Sequence, residues 1–256
     1  MARIFITGSS TGLGLMTGEL LAGQGHRVVL HGRNKARADD ARRALPKAEA
    51  VVTGDLSSIA GTREVADEVN KLGAFDAVIH NAGVGYRGAR NETKDGVPQI
   101  FAVNTLAPYL LTALIAKPKR LIYLSSGMHQ GAAANIEDLL WKTRRWSGAT
   151  AYSESKLHDV LIAFAVARLW PGVLSNAVDP GWVATRMGGA GAPDNLDDGR
   201  RTQAWLAVSD DAGAKVSGEY FYHQRPKTPN PSARDVELQD RLIEACAKIS
   251  GVVFRN

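Results

Sequence analysis

The sequence predicts an α/β fold: one doubly wound parallel sheet with helices on both faces, forming a single domain over residues 1–256. Three observations carry this. Short β-branched or aliphatic runs recur along the chain, and the stretches between them repeat their apolar residues at helical spacing. Strand and helix alternate, and such alternation builds a parallel sheet because each connection must cross back over one face. No Pro/Ser-rich linker or internal repeat interrupts the pattern up to about residue 180.

Taken in order, strands are expected at 4–7, 27–30, 50–53, 76–80, 120–124 and 173–178. The longest helical pattern places Leu157, Val160, Leu161, Phe164, Ala165 and Leu169 on one stripe. After the sixth strand the composition changes. Residues 187–193 (MGGAGAP) and the polar 194–200 (DNLDDGR) read as a mobile loop feeding a short helix. That loop lies at the carboxyl edge of the sheet, where open α/β folds bind ligands. The tail offers a seventh strand at 219–222, a Pro-rich connection at 226–231 and a helix at 233–249.

Composition narrows the function classes. Hydrophobic residues make up 45% and charged residues 22%, ordinary values for a water-soluble domain large enough to bury its own core. Cys246 stands alone, which excludes a disulfide scaffold. No apolar run approaches the ~18 residues a spanning helix needs and no signal segment is evident, so a cytoplasmic protein without a membrane span is expected. The net charge of +5 comes from scattered basic residues without interleaved aromatics, so nucleic acid is not an expected partner.

The turn after the first strand carries the first chemical signal. Gly8, Ser10, Thr11, Gly12, Leu13 and Gly14 lead from strand to helix, exposing backbone N–H groups at the positive end of a helix dipole. Lacking Cβ atoms, the glycines let a pyrophosphate approach. No Lys follows Gly12 or Gly14, so this is not a phosphate loop of the nucleoside-triphosphatase kind. A dinucleotide site also needs a ribose-reading residue about 20 residues further on. There the chain has Arg33 and Asn34 and no acidic residue. An arginine fork matches phosphate oxygens, so NADP(H) is preferred over NAD(H), with Asn34 assisting.

With these residues in place, the chain resembles the short-chain dehydrogenase/reductase family along nearly its whole length. The glycine motif is matched by Gly8, Gly12 and Gly14; the adenine-contacting Asp by Asp55, followed by Leu56; the Asn-Ala-Gly motif by Asn81, Ala82 and Gly83. Asn104, the pair Ser125-Ser126, and Tyr152 with Lys156 match the catalytic positions, and Pro180, Gly181, Val183 and Thr185 match the segment beside the nicotinamide. The resemblance implies a Rossmann-type sheet of about seven strands in the order 3-2-1-4-5-6-7. It also implies a homodimer through the helices carrying Asn104 and Tyr152, and a small-molecule carbonyl or alcohol substrate.

The chemistry explains the residue types. Carbonyl reduction leaves negative charge on oxygen, so a donor must deliver a proton there. Tyr152 is the expected acid; working near neutral pH requires its phenolate to gain about 3 pKa units, roughly 4 kcal/mol. Lys156, one helical turn away, supplies positive charge. The resemblance implies that Lys156 also grips the nicotinamide ribose, that Ser126 hydrogen-bonds the substrate oxygen, and that Asn104 anchors a water.

Two features depart from the commonest pattern. The segment 127–151 between Ser126 and Tyr152 is long and holds His129, Trp141 and Trp146, as in the branch containing retinol dehydrogenases and protochlorophyllide reductases. For both tryptophans packing is favoured over substrate contact. His80 stands where many members have Asn; it reads as a strand-end residue, and no metal site is expected. Two other classes share part of this pattern. Gly8-Ser9-Ser10-Thr11-Gly12 matches the nucleophile elbow of serine hydrolases, but it sits on the first strand, without preceding strands to build an oxyanion hole. A catalytically silent NADP(H)-binding sensor is the alternative that shares the fold, yet Tyr152 and Lys156 are both retained.

Overall fold

The computed structural model describes residues 1–254. Strands β1 (Arg3–Ile6), β2 (Arg27–Gly32), β3 (Ala50–Thr53), β4 (Ala77–His80), β5 (Arg120–Leu124), β6 (Leu174–Asp179), β7 (Tyr220–Tyr222) and β8 (Arg225–Pro226) form one sheet in the order β3-β2-β1-β4-β5-β6-β7-β8. The first seven are parallel neighbours in the expected order.

The strand count is a correction: eight, not seven. Strand β8 pairs antiparallel with β7, Tyr222 opposite Arg225, where a Pro-rich connection was expected. The two residues between them, His223 and Gln224, both have positive φ, 48° and 61°. A two-residue hairpin needs that geometry and usually announces it with Asn-Gly or Asp-Gly, so His-Gln gave no sequence signal. Pro226 on the outer strand suits an edge, where one missing donor costs nothing and blocks further pairing.

Successive strand residues point to opposite faces, and each face has its own core. Phe5, Val29, Val78, Leu121 and Tyr123 pack on the helices α3 (Ile59–Lys71), α5 (Ala107–Leu114), α6 (Gly148–Leu169) and α8 (Val236–Ser250). Ile4, Ile6, Val28, Leu30, Ile79 and Ile122 pack on α1 (Gly12–Gly23), α2 (Lys35–Ala44) and α7 (Leu196–Val208). Between α4 (Gln99–Phe101) and α5 the helix runs through a π-helical stretch, Ala102–Leu106, and Asn104 sits in its middle. Such wide turns often occur at functional sites.

Helix α6 is buried on every side. From Ala151 to Val166 only Ser153 escapes full burial. The sheet covers one side, α8 another, and segment 127–147 a third, with His158 Nε2 hydrogen-bonded to the Ala134 carbonyl at 2.8 Å. On α5, the Tyr109 hydroxyl donates to the Val252 carbonyl at 2.6 Å, and its ring stacks on Phe254. The two helices through which the resemblance implies a homodimer are thus covered within one chain.

Candidate active site

Thr7, at the end of β1, begins the site. Its Oγ1 accepts the N–H groups of Asn81 and Ala82, each at 3.0 Å, while Asn81 Nδ2 donates to the carbonyls of Thr7 and Gly8. The turns after β1 and β4 are thereby locked together. The packing leaves no room for side chains: a Cβ on Gly8 would lie 2.7 Å from Ala82 Cα, and one on Gly14 would lie 2.4 Å from Asn81 Nδ2. Gly8 and Gly12 also have φ near +60°, a conformation that costs glycine little. Thr11 is the N-cap of α1, yet its side chain makes no capping bond, so the first N–H groups of the helix face outward uncapped. This is a cradle for an anion, and it fits a dinucleotide pyrophosphate.

His31, which the sequence reading did not single out, ties this cradle to the next strand ends. Its Nδ1 accepts from the Gly8 N–H at 3.0 Å and its Nε2 donates to the Gly54 carbonyl at 2.9 Å, which sets the tautomer. Burial holds the ring neutral, pulling its pKa down to about 4. Further along the same edge lie Arg33 and Asn34 after β2, both exposed, and Asp55 after β3, also exposed. Asn34 caps α2 by accepting from the Arg37 N–H. Asp55 accepts from the Ser57 N–H, and Leu56 is buried in the core. These four make no hydrogen bond to the glycine turn among the described residues. Arg33 forms no ion pair or hydrogen bond among the described residues.

At the other end, the chain after β6 folds over the cradle. Pro180 and Gly181 turn it; Gly181 has φ +82°, and a Cβ there would lie 2.6 Å from Asp194 Oδ2. Val183 is buried and bridges to Asp194, and the Thr185 side chain lies 3.9 Å from where a Gly12 Cβ would be. The loop expected at 187–200 is shorter, because α7 begins at Leu196 and runs to Val208; Met187 Cγ at its start lies 3.3 Å from a Cβ built on Gly85.

The centre is built from α6, β5 and the π-helical stretch. Ser125 Oγ donates to the Lys156 carbonyl at 2.7 Å, fastening α6 to the end of β5. Half-buried Ser126 accepts from the Met128 N–H through Oγ, leaving its O–H free to donate. Asn104 is fully buried; Nδ2 donates to the Val84 carbonyl and to Ser155 Oγ, and Oδ1 accepts from the Val84 N–H at 2.8 Å. Both its amide hydrogens are spent, so it pins the chain beyond Gly83 onto α6. Tyr152 is buried beneath Tyr86, ring centroids 5.4 Å apart, and Lys156 Nζ lies 5.8 Å from the Tyr152 ring centroid. A Cβ on Gly83 would fall 3.6 Å from Asn104 Oδ1 and 3.8 Å from Lys156 Nζ, so these three converge.

The Lys156 ammonium donates to the Leu124 carbonyl at 2.7 Å and to the Asp159 carboxylate at 2.8 Å. Asp159 was missed in the sequence. The spacing of three residues from Lys156 was a visible helix-pair signal, but nothing local showed that both groups are buried.

Segment 127–151 lines and braces the site. Glu154, inside the Tyr-x-x-x-Lys motif, is 3% exposed and receives a two-pronged bond from Arg144 at 2.6 and 3.1 Å. Trp141 is buried, packed against Ile100 and Ala151, under the Arg144 guanidinium at 3.9 Å. Trp146 meets Trp141 edge to face and lines a small open pocket of about 50 Å³ with Tyr86, Arg87 and Ile100, adjoining Tyr152 through Tyr86. His80 is buried at the end of β4, stacked on Tyr123 and bonded to Thr112 Oγ1.

The short-chain dehydrogenase family model matches residues 2–195, three quarters of the chain. The chain belongs to the short-chain dehydrogenase family. Among the relatives of this short-chain dehydrogenase, an uncharacterised oxidoreductase of Emericella nidulans is 45% identical, with 98% of each chain covered. Retinol dehydrogenase 13 of Homo sapiens is 30% identical over 97% of this chain and 84% of its own. A crystal structure of an uncharacterised protein from Mycobacterium paratuberculosis superposes with a TM-score of 0.87 at 26% identity, covering 100% of this chain and 96% of that one. The long segment before Tyr152 accords with the retinol dehydrogenase branch.

Proposed function

We propose that this short-chain dehydrogenase uses NADP(H) to interconvert a carbonyl and an alcohol on a small-molecule substrate. The observation that carries the reading is the Tyr152–Lys156 pair, buried on one face of α6 beside Gly83 and Asn104. A nicotinamide cofactor, when bound, supplies or accepts the hydride. Gly8, Ser10, Thr11, Gly12, Leu13 and Gly14 would hold its pyrophosphate, Asp55 and Leu56 its adenine, and Asn81, Ala82, Gly83, Pro180, Gly181, Val183 and Thr185 its nicotinamide half.

The chain's own groups then manage the proton and the charge. Tyr152 donates its phenolic proton to the carbonyl oxygen in reduction and takes one from the alcohol in oxidation. Lys156, fixed one turn away, favours the phenolate by its charge. Ser126, with its O–H free, donates a hydrogen bond to the same substrate oxygen. Asn104 keeps the Gly83 turn seated on α6. Arg33, exposed and without a protein partner at the end of β2, suits a 2′-phosphate, with Asn34 beside it.

Side-by-side titration with NADPH and NADH tests the cofactor. Tighter NADPH binding is expected, and Arg33→Ala should weaken it about tenfold, the low end for a charge-assisted bond at an exposed site, while leaving NADH unchanged. An NADH preference removes the Arg33 assignment alone. Tyr152→Phe should bind cofactor normally and lose turnover on aldehydes and ketones; an unchanged kcat removes Tyr152 from the proton step.

A further inference from the structure

Asp159 lies on α6, three residues beyond Lys156, and the two side chains are 2% and 7% exposed. Two of the three ammonium hydrogens of Lys156 are committed, one to Asp159 and one to the Leu124 carbonyl at the end of β5. The third has no hydrogen-bond partner among the described residues, and a Cβ built on Gly83 would lie 3.8 Å from Nζ.

We propose that Asp159 is a positioning residue for Tyr152: it holds the Lys156 ammonium against β5 and offsets, at the phenol, the positive charge that Lys156 brings. The inference rests on reading Tyr152 as the proton donor. Its physical basis is simple. A buried cation near a phenol favours the phenolate, and a carboxylate 2.8 Å from that cation cancels much of the effect at the distance of the phenol.

The surroundings leave Lys156 as the charged partner of Asp159. From α6 itself Tyr152 faces the same centre. From β5 comes Tyr123, whose phenol burial raises well above its usual range, keeping it neutral. From β4 comes His80, which burial keeps neutral by pulling its pKa down to about 3. The π-helical stretch and α5 present Asn104, Thr105, Thr112 and Tyr109, the last a phenol also raised by burial. On α8 the buried Cys246 thiol is pushed up and uncharged. Burial raises the Asp159 carboxyl against the pull of the Lys156 ammonium 2.8 Å away.

The test is the pH profile of kcat/KM for alcohol oxidation in Asp159→Asn, which keeps shape and removes charge. The rising limb should move about one pH unit lower, giving about tenfold higher kcat/KM on its acid side. A second measurement needs no turnover: tyrosinate absorbance near 295 nm in Asp159→Asn, with Tyr152→Phe backgrounds subtracted to isolate one of the six tyrosines. The same downward shift is expected there. Asp159→Ser, smaller and also able to accept from Lys156, gives the same direction should the Asn variant fold poorly. A limb and a tyrosinate titration that stay in place, or move upward, overturn the proposal. Absence of any turnover in the unaltered chain, with the tyrosinate shift present, instead rejects the oxidoreductase reading and retains the link between Asp159 and Tyr152.

Discussion

Replacing Glu154 with Ala would loosen segment 127–147 on the helix that carries Tyr152. Glu154 is 3% exposed and is held by both prongs of Arg144, which is itself 27% exposed. The Asn135 amide also donates to Glu154. Removing one partner of a fully buried pair costs about 3–5 kcal/mol, because the other charge is stranded. Here Arg144 keeps Asp138 and some solvent, so about 2–3 kcal/mol is expected. In a chain of this size that lowers Tm by about 5–10 °C. Urea and thermal unfolding measure the loss directly. Because Trp146 comes from the same segment into the pocket next to Tyr86, KM for substrate should rise while NADPH affinity holds. A loss below about 0.5 kcal/mol, or no coupling energy in the cycle with Arg144→Ala, would refute the idea that this pair anchors the segment.

Three further outcomes follow from the same geometry. Gly14→Ala, whose Cβ would meet Asn81 Nδ2 and the Gly8 carbonyl, should lower stability by about 1–3 kcal/mol and weaken cofactor binding. Gly23→Ala at the other end of α1 meets nothing within 4 Å and should be neutral or slightly stabilising, so equal effects in melting experiments would contradict the packing argument. Burial takes His31 from 6.5 to about 4, so the unfolded chain gains a proton that the folded chain refuses. Stability should be complete above pH 6.5 and fall by up to about 3 kcal/mol as pH drops toward 4; His31→Gln should flatten that fall, and an undiminished slope in that variant would refute it. With α5 and α6 covered by α8 and segment 127–147, sedimentation should show a 27.4 kDa monomer, and a dimer broken by surface changes on α6 would contradict the covering.

Much of the fold was legible because its information is local. A parallel strand buried on both faces must be apolar at consecutive positions, and Ile4-Phe5-Ile6 divides between the two cores as that requires. The site motifs were legible for a similar reason. A cradle in which a Cβ at position 14 would lie 2.4 Å from Asn81 Nδ2 demands glycine there, and a proton donor beside a cation one helical turn away demands a pair such as Tyr152 and Lys156. Strand β8 was not legible, because its turn takes positive φ at His223 and Gln224, residues that carry no such signal. Nor was the environment of α6. Read alone, Glu154, His158 and Asp159 belong to a solvated helix face.

They are buried because Arg144, the Ala134 carbonyl and Lys156 meet them inside the protein. The sequence by itself determined which residue types stand ready at the carboxyl edge of the sheet, since backbone geometry and chemistry dictate those types position by position. Only the tertiary structure decided which charges are buried and what compensates them. A buried charge is tolerated through partners brought from distant parts of the chain, and no local pattern records their arrival.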